Sequence, residues 1–445
     1  MDHTHDPSRR SWVESANAAT TDFPIQNLPF GMFTRPEAFE PRVGVAIGDH
    51  ILDVTGCQQA GLLPGECAAA GLACLERYMA GASSPLNALM ALGPAHWRAL
   101  RRRLSDLLAD GEPSGGRRRA AAEALVAQSD VSMVLPVHVG DYTDFYASID
   151  HATNVGRLFR PDQPLLPNYK WVPIGYHGRA SSIVVSGTDV RRPIGQVRAP
   201  GSGDAPRVAP SARLDYELEV GCFIGRGNDL GRRIEIADAE AHIFGLCLVN
   251  DWSARDIQQW EYQPLGPFLA KSFATTISPW IVTADALEPF RAPAFDRPDG
   301  DPAPLPYLDS AANREGGAFR ISLQVGLRTA AMRERGDEPA WITQSRFASM
   351  YWTFAQMVAH HSGNGCNLRP GDLLASGTVS GPTQGERGCL LELTRAGAEP
   401  LVLPDGETRT FLEDGDEVCI RGYAERPGFA RIGFGECRGR ILPAI

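Results

Sequence analysis

The sequence predicts a predominantly β protein of the α+β type, a small mixed region followed by a larger strand-rich one. Three observations carry this. Glycine (46) and proline (34) both exceed their average share, so turns are frequent. Apolar residues at helical spacing concentrate ahead of Val137. Beyond it, short apolar runs bounded by turn residues follow one another, the pattern of successive strands. A chain of 445 residues has room for two or three domains.

Taken in order, residues 1–21 are polar and read as a loose arm, residues 22–137 as the small first domain, and residues 138–445 as the large second one. In the run from Arg42 to Val54, apolar residues flank Gly48-Asp49, which predicts a hairpin with that pair at its tip. A helix is predicted from Pro94 to Asp110. Trp97, Leu100, Leu104, Leu107 and Leu108 form one stripe, and Pro94 suits the first turn. Arg101, Arg102 and Arg103 read as its solvated face. Gly111–Arg119 reads as a flexible connection, followed by a short alanine-rich helix and a strand from Val131 to Val137. Strands are then expected at Ser182–Val185, Leu214–Ile224, Phe244–Val249, Pro279–Val282, Phe319–Leu327, Leu390–Leu393 and Glu417–Tyr423. Glu288–Pro306 reads as a long surface loop and Ser349–His361 as a helix.

Composition excludes several function classes. A net charge of −10 argues against a nucleic-acid footprint, which needs a clustered positive field. No window approaches eighteen apolar residues, so no membrane span is expected. The N-terminus lacks the apolar run of a signal peptide. Nine cysteines without a Cys-x-x-Cys pair read as free thiols, and the expected compartment is the cytoplasm.

The chemistry concentrates in a few stretches. Asp141–Arg160 packs acids, tyrosines, a histidine and arginines into twenty residues with little aliphatic filling, which suits a polar site. In Leu214–Ile224, Glu217 and Glu219 stand two apart, so on a strand they project side by side, with Asp215 a further candidate. Asp251 ends an apolar run, where a strand delivers it to a pocket. With Asp144, four carboxylates can converge. Such an all-oxygen set suits Mg²⁺ or Ca²⁺ better than zinc. The adjacent His360 and His361 face different ways on a helix and read as structural. No Gly-x-Ser-x-Gly elbow and no dinucleotide fingerprint occur.

The stretches Asp141-Tyr-Thr-Asp-Phe-Tyr146, Pro173-Ile-Gly-Tyr-His-Gly-Arg179, Asn250-Asp-Trp-Ser-Ala-Arg255 and Glu261-Tyr-Gln-Pro-Leu-Gly266 closely resemble the fumarylacetoacetase family. So do the runs from Phe268 to Phe273, from His361 to Thr378 and from Arg431 to Glu436. The resemblance implies an N-terminal SH3-like barrel, a C-terminal β-roll and a homodimer. It implies hydrolysis of the carbon–carbon bond of 4-fumarylacetoacetate to fumarate and acetoacetate, the last step of tyrosine and phenylalanine breakdown. It places metal ligands on Asp144, Glu217, Glu219 and Asp251, with Lys271 and Thr275 at a further ion position. A protonated lysine amine cannot ligate, so Lys271 would contribute only a carbonyl there. The resemblance puts the water-activating base on His151 and its orienting acid on Glu392; a tetrahedral oxyanion needs preorganised donors, for which Arg255, Gln258 and Lys271 are the candidates. Tyr146, Arg160, Tyr176, Gln258, Tyr262 and Thr378 fall on substrate positions. Ala270 departs from the family's glycine beside the lysine. The alternative readings are an acylpyruvate hydrolase or a diketo acid decarboxylase of the same superfamily, or a non-catalytic metal-binding protein on the same fold.

Overall fold

The computed structural model describes residues 1–79, 81–111, 115–198 and 203–445. Near the N-terminus a five-stranded antiparallel sheet runs in the order Leu125–Ala127, His50–Asp53, Ala38–Ile47, Phe30–Arg35, Ser132–Val134. The expected hairpin is present. Ile47 pairs with His50 across a two-residue loop, and Gly48 there has φ +56°, a conformation that glycine adopts without steric cost. The amphipathic helix spans Pro94–Leu108, and its predicted stripe of Trp97, Leu100, Leu104, Leu107 and Leu108 is buried. Each such side chain contributes about 1.5–3 kcal/mol when fully buried.

Three expectations for this region need correction. Arg101 is 2% exposed, not solvated. Its guanidinium donates to the carbonyls of Gln26 and Asn27 and to the hydroxyl of Thr4. Burial pushes its pKa down to about 10, which still leaves it charged at neutral pH. The arm is not loose either. Thr4, His5, Val13 and Ala16 are buried, Ser11 bridges Ala109, and a ring nitrogen of His5 lies 2.7 Å from the Asp285 carbonyl. The buried guanidinium explains both, because a charge withdrawn from water needs a full set of acceptors and the arm supplies one. Finally, a helix begins at Gly116, inside the expected connection, whose residues 112–114 lie outside those described.

Beyond Val137 the sheet that positions the site has eight strands. Its path is Gly175–His177, Tyr142–Phe145, Leu373–Ala375, Leu218–Ile224, Ile243–Asp251, Thr275–Ile277, Ile183–Val185, with Val282–Thr283 pairing off Ile243–Asp251. Pairing is mixed: Tyr142–Phe145 lies parallel to Leu373–Ala375, and Thr275–Ile277 parallel to Ile183–Val185. A second, five-stranded sheet runs Ala340–Arg346, Ile321–Arg328, Glu417–Ala424, Ile432–Leu442, Val190–Arg191. Val220, Leu246 and Leu248 of the first sheet share one buried cluster with Leu323, Val325, Ile420 and Phe434 of the second. The chain is thus a mixed fold rich in strands.

Most expected strands appear within a few residues of their places. Leu214–Ile224 is interrupted at Tyr216 and Glu217, and the helix near Ser349 starts at Phe354, where Thr353 caps it. Glu288–Pro306 is largely irregular, as expected, apart from a turn at Glu288–Phe290 and the short strand Arg291–Ala292. One expectation fails in kind. Leu390–Leu393 is a single helical turn, not a strand. The nine cysteines are free, and all but Cys366 are buried. No helix among the described residues is long and apolar enough to cross a membrane.

Candidate active site

Three strands deliver the four acids. Asp144 lies on Tyr142–Phe145, paired with Ala375 on one side and Tyr176 on the other. Glu219 lies on Leu218–Ile224, and Glu217 just ahead of it, where its amide donates to the Asn250 side chain at 3.1 Å. Asp251 ends the neighbouring strand opposite Thr275. All four are buried, and one carboxylate oxygen from each lies within 4.8 Å of the others. The expected convergence is therefore present.

The four are not equivalent. Lys271 donates to Glu217 at 2.5 Å and to Asp251 at 2.7 Å, and Arg255 donates to Glu217 at 2.6 Å. Asp251 also accepts from the hydroxyls of Tyr176 at 2.6 Å and Thr275 at 2.7 Å. Asp144 receives only the amide of Gly377, at 3.1 Å. Gly377 has φ +73°, and a β-carbon there would meet the Phe145 carbonyl at 2.2 Å, so the close approach requires glycine. Neither oxygen of Glu219 has a hydrogen-bond donor among the described residues, although both are buried.

The electrostatics follow from these contacts. Burial, then the neighbouring acids, holds Asp144 and Glu219 well above the usual carboxylate range. Burial acts upward on Glu217 as well, but Lys271 and Arg255 outweigh it and hold that carboxyl well below. Burial disfavours the Lys271 ammonium, and Asp251 and Glu217 more than offset it, so its pKa is raised. One half of the cluster thus carries its own cations. The other half, Asp144 and Glu219, has no cationic side chain within ion-pair distance among the described residues. Two carboxylates without a cationic partner, one of them without any donor, in an all-oxygen setting fit a hard divalent cation, whose charge would balance theirs.

Beside the cluster stands a second constellation. Ser148 caps the helix Ile149–Phe159, which places His151 in its first turn. His151 Nδ1 lies 2.7 Å from Glu392 Oε2, and both residues are buried. Glu392 also accepts from Asn154 at 2.8 Å and Ser380 at 2.7 Å, with the Cys389 thiol at 3.2 Å. Burial opposes the Glu392 charge, yet His151 and these donors bring its pKa down to about 2. The His151 ring makes no other hydrogen bond among the described residues, which leaves Nε2 available. The two constellations share one field: His151 acts on Glu217, while Glu392, Glu217 and Arg160 all act on Tyr146.

The remaining expected residues are placed unevenly. Tyr146 packs edge-on against His151, ring centroids 5.3 Å apart. Thr378 Oγ1 and Arg160 Nε are buried without partners among the described residues. Gln258 lies 3.4 Å from Arg255. Tyr176 spends its hydroxyl on Asp251. Tyr262 is 39% exposed on the turn after Arg255–Glu261 and makes no side-chain hydrogen bond. Lys271 enters as a counter-ion and Thr275 as a donor to Asp251, so neither side chain sits as a ligand beside the four acids. Asp215, a candidate for the acid cluster, instead faces Arg255 and the Leu390–Leu393 turn. Asn154 and Ser380 were not anticipated. Asn154 follows His151 by three on a helix, a spacing that signals a shared face; nothing in the sequence marks Ser380.

Two family models match the chain: "Fumarylacetoacetate (FAA) hydrolase C-terminal" over residues 141–442 and "Fumarylacetoacetase N-terminal" over residues 26–136. The fumarylacetoacetase of Rattus norvegicus is 48% identical over 430 residues, 96% of this chain and 98% of the rat protein. That of Homo sapiens is 49% identical over 434 residues, again 96% and 98%. That of Arabidopsis thaliana is 48% identical over 427 residues, 95% and 96%. Among solved structures, a fumarylacetoacetate hydrolase from Exiguobacterium antarcticum aligns with a TM-score of 0.50 at 16% identity, covering 94% of this chain and 99% of that one, a likeness of fold alone.

Proposed function

The chain belongs to the fumarylacetoacetate hydrolase family and is a hydrolase of fumarylacetoacetate, and we propose from that premise how its residues divide the work. The observation that carries the proposal is the cluster of four buried carboxylates with a His151–Glu392 pair in the same electrostatic field.

Asp144, Glu217, Glu219 and Asp251 would hold one divalent cation, Mg²⁺ or Ca²⁺. Its chemistry there is charge: it would draw in the diketone oxygens and make the enolate a better leaving group. His151 Nε2 takes a proton from water as the water oxygen bonds to the carbonyl carbon next to the fumaryl half. Collapse of the tetrahedral intermediate breaks the carbon–carbon bond, releasing fumarate, and the departing acetoacetate enolate takes its proton from the His151 imidazolium. Glu392 holds the imidazole by Nδ1, fixing its tautomer and stabilising the imidazolium once it forms. Gln258, Arg255 and Lys271 are the oxyanion donors. Most of Lys271 and Arg255 is engaged by Glu217, Asp251 and Asp215, but Arg255 Nη2 is buried without a hydrogen-bond partner among the described residues. Arg160 and Thr378, whose buried polar atoms lack partners, bind the substrate carboxylates together with Tyr146 and Tyr262. Tyr176 bounds the same site through its bond to Asp251 and orients that carboxylate.

The same reading carries an SH3-like barrel for residues 22–137, a β-roll for residues 138–445, a homodimer, and a cytoplasmic role in tyrosine and phenylalanine breakdown. The test is spectroscopic. Fumarylacetoacetate should lose its diketone absorbance on addition of the protein, with Mg²⁺ or Ca²⁺ required, and much faster than acetylpyruvate or oxaloacetate. Preferential turnover of either of the latter would move the assignment to the corresponding relative in the superfamily.

A further inference from the structure

Asp215 is fully buried at the end of the short strand Leu214–Asp215, two residues ahead of Glu217. Its position in sequence suggests a fifth ligand, but its hydrogen bonds exclude that. Oδ1 accepts the amides of Tyr216 at 2.9 Å and Leu390 at 2.8 Å. Oδ2 accepts the amide of Leu391 and Arg255 Nε, both at 2.9 Å. A carboxylate offers about four lone-pair sites, so none is left for a cation. Glu219, with no donor on either oxygen, is the opposite case.

What Asp215 joins is more informative than what it lacks. Leu390 and Leu391 open the helical turn that carries Glu392, and the residue before that turn provides no side-chain cap. The first amides of a helical turn have no acceptor within it. Here both find one on a strand 175 residues away in sequence. The same carboxylate grips Arg255, whose other arm reaches Glu217 at 2.6 Å. A continuous path therefore runs from the turn under Glu392, through Asp215 and Arg255, to the acid cluster.

We propose that Asp215 is a positioning residue for the hydrolysis, holding the turn that carries Glu392 and the Arg255 guanidinium in one frame, so that His151 meets substrate bound at the acid cluster. The proposal rests on the water-activating role assigned to His151. In Asp215→Asn one acceptor oxygen becomes an NH₂ group, which accepts no hydrogen bond, so the one oxygen left cannot serve Arg255 and both turn amides. The expected result is a fall in kcat of about 10²-fold, the scale of losing one preorganised catalytic group, with KM changed less than about 3-fold. A general folding defect would act alike in any background; a positioning role acts through His151. In a His151→Ala background, Asp215→Asn should therefore cost no more than about 10-fold further, since residues acting as a unit are non-additive. Wild-type kcat in Asp215→Asn overturns the proposal. So does a loss that multiplies in full with that of His151→Ala. If Asp215→Asn does not fold, Asp215→Glu is read by the same cycle, and failure of both to fold makes Asp215 a folding residue and ends the proposal. Wild-type turnover in His151→Ala would instead sink the water-activation reading and take this one with it.

Discussion

Glu392 and Glu219 are both buried glutamates in one active-site region, and their surroundings could hardly differ more. Glu392 is met by His151, Asn154, Ser380 and Cys389, all from its own chain. Glu219 is met by no donor and faces other acids. Burying a charge costs several kcal/mol unless partners compensate it. The His–Glu region is thus complete as folded, whereas the acid cluster is complete only on its Lys271 side. The difference shows which part of the site is scaffold and which part awaits something from solution.

The largest break in that comparison is removal of the cation. Exhaustive chelation should lower turnover by about 10³-fold or more, because Lewis-acid stabilisation is worth several kcal/mol and 1.4 kcal/mol is tenfold in rate. Mg²⁺ or Ca²⁺ should restore it. Full activity in EDTA would make Asp144 and Glu219 mere buried acids.

Next comes the dyad. His151→Ala should lower kcat by about 10³-fold, within the usual range for a lost general base, while calorimetry finds divalent-cation binding unchanged within about 3-fold. A collapse of cation affinity in that variant would mean the two regions are one structural unit. Glu392→Gln should also lower kcat, by about 10³–10⁴-fold, since the amide keeps a hydrogen bond to the imidazole but can hold it in the wrong tautomer. It also has a signature in acid. The folded pKa of Glu392, about 2, lies below its ordinary value of 4.5. Its contribution to stability is therefore present above about pH 4.5 and lost as pH falls towards 2. Thermal melts should show the gap between parent and Glu392→Gln closing across that window, and a constant gap from pH 6 to 2.5 would remove the ion pair as its source.

How much of this was legible in the sequence depends on the range of the forces involved. The hairpin at Gly48 and the stripe on Pro94–Leu108 are set by residues a few positions apart, and both were read correctly. The alternation of Glu217 and Glu219, and Asp251 at a strand end, likewise announced a cluster. Leu390–Leu393 departs from expectation because four residues, three leucines and Glu392, are too few for their spacing to separate strand from helix; the turn is held by Asp215 from far away in the chain. Arg101 was misread because its acceptors come from Gln26, Asn27 and Thr4, which no helical pattern can reveal. The motif resemblance supplied residue names for the site but not their partition, in which Lys271 serves Glu217 and Asp251 and leaves Glu219 bare.

That partition gives the smallest and sharpest prediction. Burial and neighbouring acids raise Glu219, so its contribution to stability is full below its unfolded pKa and lost as pH rises through the folded value. At pH 8 in EDTA the parent must therefore either carry an uncompensated buried charge or hold a proton against the solution. Glu219→Gln removes that choice and keeps the shape. Its melting temperature should exceed the parent's by roughly 2 °C, the scale of a modest ΔΔG in a chain of this size, and the excess should vanish near pH 4. Saturating Mg²⁺ should reverse the order, because only the parent gains the full binding free energy. A Glu217→Gln control should behave oppositely in EDTA, since it removes the carboxylate that Lys271 and Arg255 share and leaves each buried cation with one anionic partner, Asp251 and Asp215. If both variants melt alike, the acid cluster has no compensated and uncompensated halves, and the case for a resident cation on the Asp144–Glu219 side fails with it.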